Sequence, residues 1–199
     1  MRLLGDDAMR VVCGYGQIDL ERAAFSDDAR VVLYTEDELA IDHFAVYRVP
    51  IPEPFQTERG ERSLRVTLAY DPPVRHTRTD YRGIGMSFRL IRGCTPDLIF
   101  EHYRRRTKEE GPFPELADRF DCPLSPGPQA REKSTVQFAT ATFKRNIQKY
   151  GGDYFLVVRC EAGWATFVDR QRFAVVVEVS HKAEIQLYER IRQRIRLPV

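Results

Sequence analysis

Apolar and polar residues alternate along most of this chain with a period of two, the repeat of strands that bury one face. Residues 63–70 are the cleanest case, with Leu64, Val66, Leu68 and Tyr70 set against Arg65, Thr67 and Ala69. In residues 84–91, Ile84, Met86, Phe88 and Leu90 oppose Gly85, Ser87, Arg89 and Ile91. Residues 41–51 carry apolar groups on both faces: Ile41, His43, Ala45, Tyr47, Val49 and Ile51 on one, Phe44 and Val46 with Asp42 and Arg48 on the other. That pattern predicts one strand covered on both sides. Strand character also marks residues 30–35, 135–144 (around Val136, Phe138 and Phe143), 153–161 and 173–179. Pro50, Pro52 and Pro54 end one strand and Asp71-Pro72-Pro73 another, because proline cannot donate to a sheet ladder.

Helical signals are few. Cys13-Gly14-Tyr15-Gly16-Gln17-Ile18-Asp19-Leu20-Glu21-Arg22-Ala23-Ala24 reads as a glycine turn running into a short helix. Thr95 can cap and Pro96 suits a first helical position, which predicts a helix over about 96–107. Residues 111–129, with Pro112, Pro114, Pro123, Pro126 and Pro128, read as a long irregular connection. In residues 185–197 Ile185, Leu187, Ile191, Ile195 and Leu197 alternate with Arg190, Arg192, Arg194 and Arg196, a strand with a basic outer face. The same stretch also forms a helical apolar cluster of Leu187, Tyr188, Ile191 and Ile195; the strand is favoured over this alternative. Seven or eight strands broken by prolines predict a mainly β chain, an antiparallel β-sandwich with a short N-terminal helix and one further short helix.

Composition narrows the picture. With 199 residues, 43% of them hydrophobic, the chain can bury a proper core in one domain. The 31 basic residues nearly cancel the 29 acidic ones, for a net charge of +2, which argues against a dedicated nucleic-acid binder. No apolar run approaches the roughly 20 residues of a membrane span, and Met1-Arg2-Leu3-Leu4 leads directly into Gly5-Asp6-Asp7, so no secretory signal is read. The expectation is a soluble cytoplasmic protein with no membrane partner. Cys13, Cys94, Cys122 and Cys160 are scattered without zinc-ligand spacing and read as reduced, packed thiols.

Chemistry is sparse. None of Ser26, Ser63, Ser87, Ser125, Ser134 and Ser180 lies in a nucleophile motif, so no catalytic residue is assigned. Glu36, Asp37, Glu38 and Asp42 cluster before His43, but they lack the spacing of a calcium loop. They read as a solvated acidic turn and His43 as a residue of a sheet face; no metal and no cofactor is expected. The Arg-rich runs 102–108 and 190–196 read as solvated faces. The loop after residue 70 stands apart, dense in Arg, His, Asp and Tyr where a sandwich holds side chains rigid yet free. Arg75, His76, Arg78 and Tyr81 are the candidate binding residues.

The opening Gly-x-Gly-x-x-Asp-x-x-x-Ala motif, followed by residues 30–34, 42–52 and 64–73 in order, resembles the C-terminal region of bacterial subtilase-family serine peptidases. The likeness is firmest over residues 1–93. It implies that residues 1–28 are the remnant of the end of a subtilase-like catalytic domain and that residues 29–199 form a jelly-roll or related β-sandwich. The family's catalytic Asp, His and Ser have no matching positions here. On this resemblance the chain is a non-catalytic module serving folding, stability or engagement of a substrate or partner. Its partners would be a subtilase-like catalytic domain or subunit and a protein substrate, with self-association through Leu20, Ala23, Ala24 and Phe25 of the opening helix. Two alternatives stand beside it. One is a subunit completing a separately encoded protease in trans, the other a free-standing recognition domain for carbohydrate or nucleic acid.

Overall fold

The alternating stretches form seven strands in two antiparallel sheets, in a computed structural model that describes residues 25–104, 120–143 and 152–196. The strands are β1 (Arg30–Ala40), β2 (Phe44–Val49), β3 (Arg62–Tyr70), β4 (Ile84–Arg92), β5 (Val136–Phe143), β6 (Tyr154–Ala162) and β7 (Arg170–His181). One sheet runs β1-β7-β3-β5 and the other β2-β6-β4. First pairs with last, second with sixth, and third with fifth: β1 with β7, β2 with β6, β3 with β5. At β4 the chain turns back, and Asp121 bridges Ile91 beside it. This is a long hairpin rolled into two sheets, the jelly-roll order, with the expected β-sandwich as its architecture.

The core follows from the pleat. Leu64, Val66 and Leu68 of β3 meet Met86, Phe88 and Leu90 of β4 and Leu156 and Val158 of β6 in one buried cluster. Each of these side chains is at most 2% exposed. Strand β6, central in its sheet, is buried on both faces, which explains its unbroken run Tyr154-Phe155-Leu156-Val157-Val158. Its outer residues Phe155 and Val157 join Ile91, Ile99 and Tyr103 in a second cluster. There α2 (Pro96–Arg104) covers the sheet, with Phe44 stacked 5.3 Å from the Tyr103 ring.

Three of the sequence expectations change here. The strand foreseen over 41–51 is cut by a reversal at residues 41–43, where Asp42 adopts a left-handed φ of 60° that a short polar side chain tolerates. The Asp42 carboxylate accepts the Ala162 backbone N–H at 2.9 Å, fixing that turn. His43 therefore sits exposed in the turn rather than on a sheet face, its Nδ1 bonded to the Ile41 carbonyl at 2.9 Å. Glu36, Asp37 and Glu38 belong to β1, not to a turn.

The third change is at the end of the chain, where Leu187–Arg196 is a helix (α4) and not a strand. Strand alternation would have placed Glu189 and Gln193 on the apolar face. The helix turns both away and buries Leu187 and Ile191, at 0% and 1% exposure. Two more short helices accompany it, α1 (Glu53–Thr57) and α3 (Pro128–Arg131), so helices number four among the described residues rather than the one foreseen there. α1 is stapled by buried Arg62, which donates to the Phe55 and Glu58 carbonyls at 2.8 Å each. The opening helix, with Leu20, Ala23 and Ala24, lies outside the described residues; Phe25, at their edge, is exposed. No helix among the described residues is long and apolar enough to cross a membrane.

Candidate functional site

Residues 71–83 join β3 to β4 at one end of the sandwich, and residues 163–169 join β6 to β7 at the same end. The first connection is a small hairpin. Val74 and Arg82 bridge, Arg75 N–H donates to the Tyr81 carbonyl at 2.8 Å, and Gly83 N–H donates to the Pro73 carbonyl at 2.6 Å. Arg78 N–H closes the tip on the Arg75 carbonyl at 3.2 Å. The two connections touch through glycines. A Cβ on Gly163 would meet the Gly83 carbonyl oxygen at 2.2 Å, and one on Gly83 would meet the Ala165 Cβ at 2.5 Å. Neither contact leaves room for a side chain.

That close approach sets Trp164 against the hairpin. Its indole N–H donates to the Asp80 carbonyl at 3.1 Å, which fixes the ring plane. The Arg75 guanidinium lies 4.9 Å from the ring centroid and that of Arg78 5.3 Å from it. Phe167, at 69% exposure, sits 6.5 Å from the same ring, and Tyr81 is 40% exposed. Arg82 plays a different part: it is mostly buried and donates to the Tyr70 hydroxyl at 3.2 Å and to the Glu132 carbonyl. The Asp80 carboxylate lies 3.7 Å from Arg82, so the one acid at the tip is already engaged.

Of the four residues named from sequence, Arg75 and Arg78 are brought together on one ring. Tyr81 stands exposed beside them, while His76 is exposed at the hairpin tip and makes no hydrogen bond among the described residues. Trp164 and Phe167 complete the group and were not foreseen. The signal was available: Trp164 is the chain's sole tryptophan, and it follows Gly163 in a connection between two strands.

Other chemistry-bearing groups are spent on structure. Glu38 takes Arg170 at 2.6 Å and Arg172 at 3.3 Å, while Asp37 accepts the Tyr47 hydroxyl at 2.5 Å. That bond holds the Asp37 carboxyl below its ordinary range, and burial, with the same bond, pushes the Tyr47 phenol up. Among the described residues no three His, Cys, Asp or Glu side chains converge as metal ligands. Cys94, Cys122 and Cys160 are free and buried, and burial raises all three thiols, Cys122 and Cys160 to about 11. A thiol so raised is a poor nucleophile. The Ser63 hydroxyl pairs with that of Ser180 at 2.8 Å across β3 and β7, with no histidine in the pair.

A cavity of about 420 Å³ opens between β1 and β2. Leu33, Tyr47, Leu156 and Val177 line it, with Arg48 and Arg194 beside them. Arg48 is held by Asp153 at 3.0 Å and Arg194 donates to the Ile51 carbonyl.

No protein family's sequence model matches the chain. It is 69% identical over 196 residues to the uncharacterized protein y4bN of Sinorhizobium fredii (strain NBRC 101917 / NGR234). That match takes in 98% of this chain and 46% of the relative, so the chain spans about half the length of the curated relative it matches. Among solved structures, that of Tomato Aspermy Virus aligns with 97% of this chain and 98% of its own, at 13% identity and a TM-score of 0.28.

Proposed function

We propose that this chain is a non-catalytic jelly-roll module of a longer, subtilisin-like serine protease, and that it works by binding. The observation that carries this reading is the arrangement at the 71–83 hairpin: two exposed arginines set over one indole, with His76 and Tyr81 exposed on the same hairpin. The end of the sandwich also matters. Residue 25 and α4 lie where β1 starts and β7 ends, whereas the hairpin lies where β7 begins. The 12 residues of β7 put roughly 40 Å between them, at about 3.3 Å per residue. Among the described residues, the hairpin end is thus the one far from residue 25 and α4. The protease lineage rests on the ordered sequence likeness over residues 1–93, and the relative's greater length accords with an attached module. The free buried cysteines accord with a reducing, cytoplasmic setting.

A serine-directed fluorophosphonate probe tests this on two proteins, the 199-residue chain and full-length y4bN. The expected result is no labelling of the chain and labelling of the relative outside its matched segment. Labelling of any serine in the chain would overturn the non-catalytic reading. An unlabelled relative would overturn the protease lineage.

A further inference from the structure

We infer that the Arg75–Arg78–Trp164 group is a receptor for an acidic peptide segment, each guanidinium taking one side-chain carboxylate. The inference rests on the binding-module reading and names the partner's chemistry. Both guanidinium carbons lie near one ring centroid, at 4.9 and 5.3 Å, so they are within about 10 Å of each other. Two like charges held that close repel. Among the described residues neither has a carboxylate within ion-pair distance, because Asp80 is taken by Arg82. Among the described residues this pair of cations has no carboxylate of its own, and an acidic segment set against it would supply one.

Geometry narrows the anion. A guanidinium over an aromatic ring uses its face there and keeps its in-plane N–H donors for a planar acceptor, the fork that matches a carboxylate. Side chains at alternate positions of an extended peptide share a face and lie about 6.6 Å apart. Acidic residues at i and i+2 can therefore reach both arginines. Phe167 and Tyr81 offer exposed aromatic surface beside the pair, suited to an aliphatic side chain of the same segment. A nucleic acid fits less well. Its repeating phosphates call for a basic stripe, whereas this chain carries a net charge of only +2 and sets Asp71 and Asp80 in the same connection.

The test uses the 199-residue chain and an uncharged-capped peptide Gly-Glu-Gly-Glu-Gly-Leu, with both Glu and the Leu on one face, followed by calorimetry and by tryptophan emission. The sole tryptophan is Trp164, so its emission reports on this site alone. The acidic peptide should bind with a change in emission and weaken as salt rises, while its Gln-for-Glu counterpart should not bind. Arg75→Gln with Arg78→Gln should weaken binding at least about tenfold, because both charge-assisted pairs are lost. Arg75→Lys with Arg78→Lys should lie between, keeping charge but losing the fork. Thermal melts of each variant separate lost binding from lost folding. No binding, unchanged binding in the Gln variant, or tighter binding of a single-stranded oligonucleotide of equal charge would overturn the inference. None of these outcomes bears on the fluorophosphonate result, so the two readings fail separately.

Discussion

The Arg131 guanidinium donates to the Phe88 carbonyl oxygen at 2.7 Å while its carbon lies 4.5 Å from the centre of the Phe88 ring. This contact completes the open edge of β4. Among the described residues no strand pairs with that edge, and three alternate carbonyls on it each find another donor. Leu90 accepts from the Cys122 backbone at 2.8 Å, Phe88 from Arg131, and Met86 from the Gln137 side chain at 2.5 Å. An unpaired edge is a template for association with another chain. Here side chains from α3 and β5 occupy it.

Replacing Arg131 should therefore cost more than a surface arginine would. Arg131 is 4% exposed and also donates to the Pro126 carbonyl at 2.9 Å. In Arg131→Met both carbonyls lose their donor, and the expected loss is about 2–4 kcal/mol. Arg131→Lys should recover only part, since one ammonium cannot match the fork. Urea unfolding followed by far-ultraviolet circular dichroism measures both, and a loss under about 1 kcal/mol for the Met variant would contradict the role given to this residue.

Gly163→Ala should disturb the candidate site from behind. The added methyl would meet the Gly83 carbonyl oxygen at 2.2 Å, a backbone atom that cannot swing aside. Relief requires the 163–169 connection to move off the hairpin, and with it Trp164. The expected cost is about 1–3 kcal/mol, with a red-shifted Trp164 emission. Unchanged emission together with an unchanged melting temperature would mean that the two connections do not depend on each other.

The strands were legible because alternation survives in a sandwich. Residues 63–70 and 84–91 read correctly from Leu64 to Tyr70 and from Ile84 to Leu90, each facing one core. Residues 41–51 misled because the apolar pattern runs straight through a reversal; only Asp42, free to take a left-handed turn, marked it. The site was half legible. Arg75 and Arg78 stood out as charges after a strand end, but what organises them is a ring 80 or more residues away, and sequence does not show that distant contact.

The last helix gives its own test, because periods of two and of four both place residues 187, 191 and 195 on one face. In the helix Ile191 is buried at 1% exposure, whereas Ile195 is 62% exposed. Ile191→Ala should cost about 2–4 kcal/mol and Ile195→Ala no more than about 0.5 kcal/mol. A paired strand would bury both alike, so equal losses in urea titrations would speak against the helix.

Alkaline pH should unfold this protein through groups it keeps protonated. Burial raises the Cys122 and Cys160 thiols from an ordinary 9.0 to about 11 and the Tyr154 phenol from 10.0 to about 12. The Cys122 thiol further raises Tyr154, while nearby Arg92 opposes the shift in both. A folded pKa above the unfolded one means that the folded state holds its proton longer. The stability this contributes is complete below about pH 9 and is lost as pH rises through 11 to 12. Unfolding midpoints in urea should therefore hold steady from pH 7 to about 8.5 and fall steeply above about 9.5. Iodoacetamide at pH 8 should leave Cys122 and Cys160 unmodified in the native chain and alkylate both once urea unfolds it, as read by peptide mass. Rapid native alkylation of either thiol would show that the sandwich core is open to solvent where β4 and β6 meet.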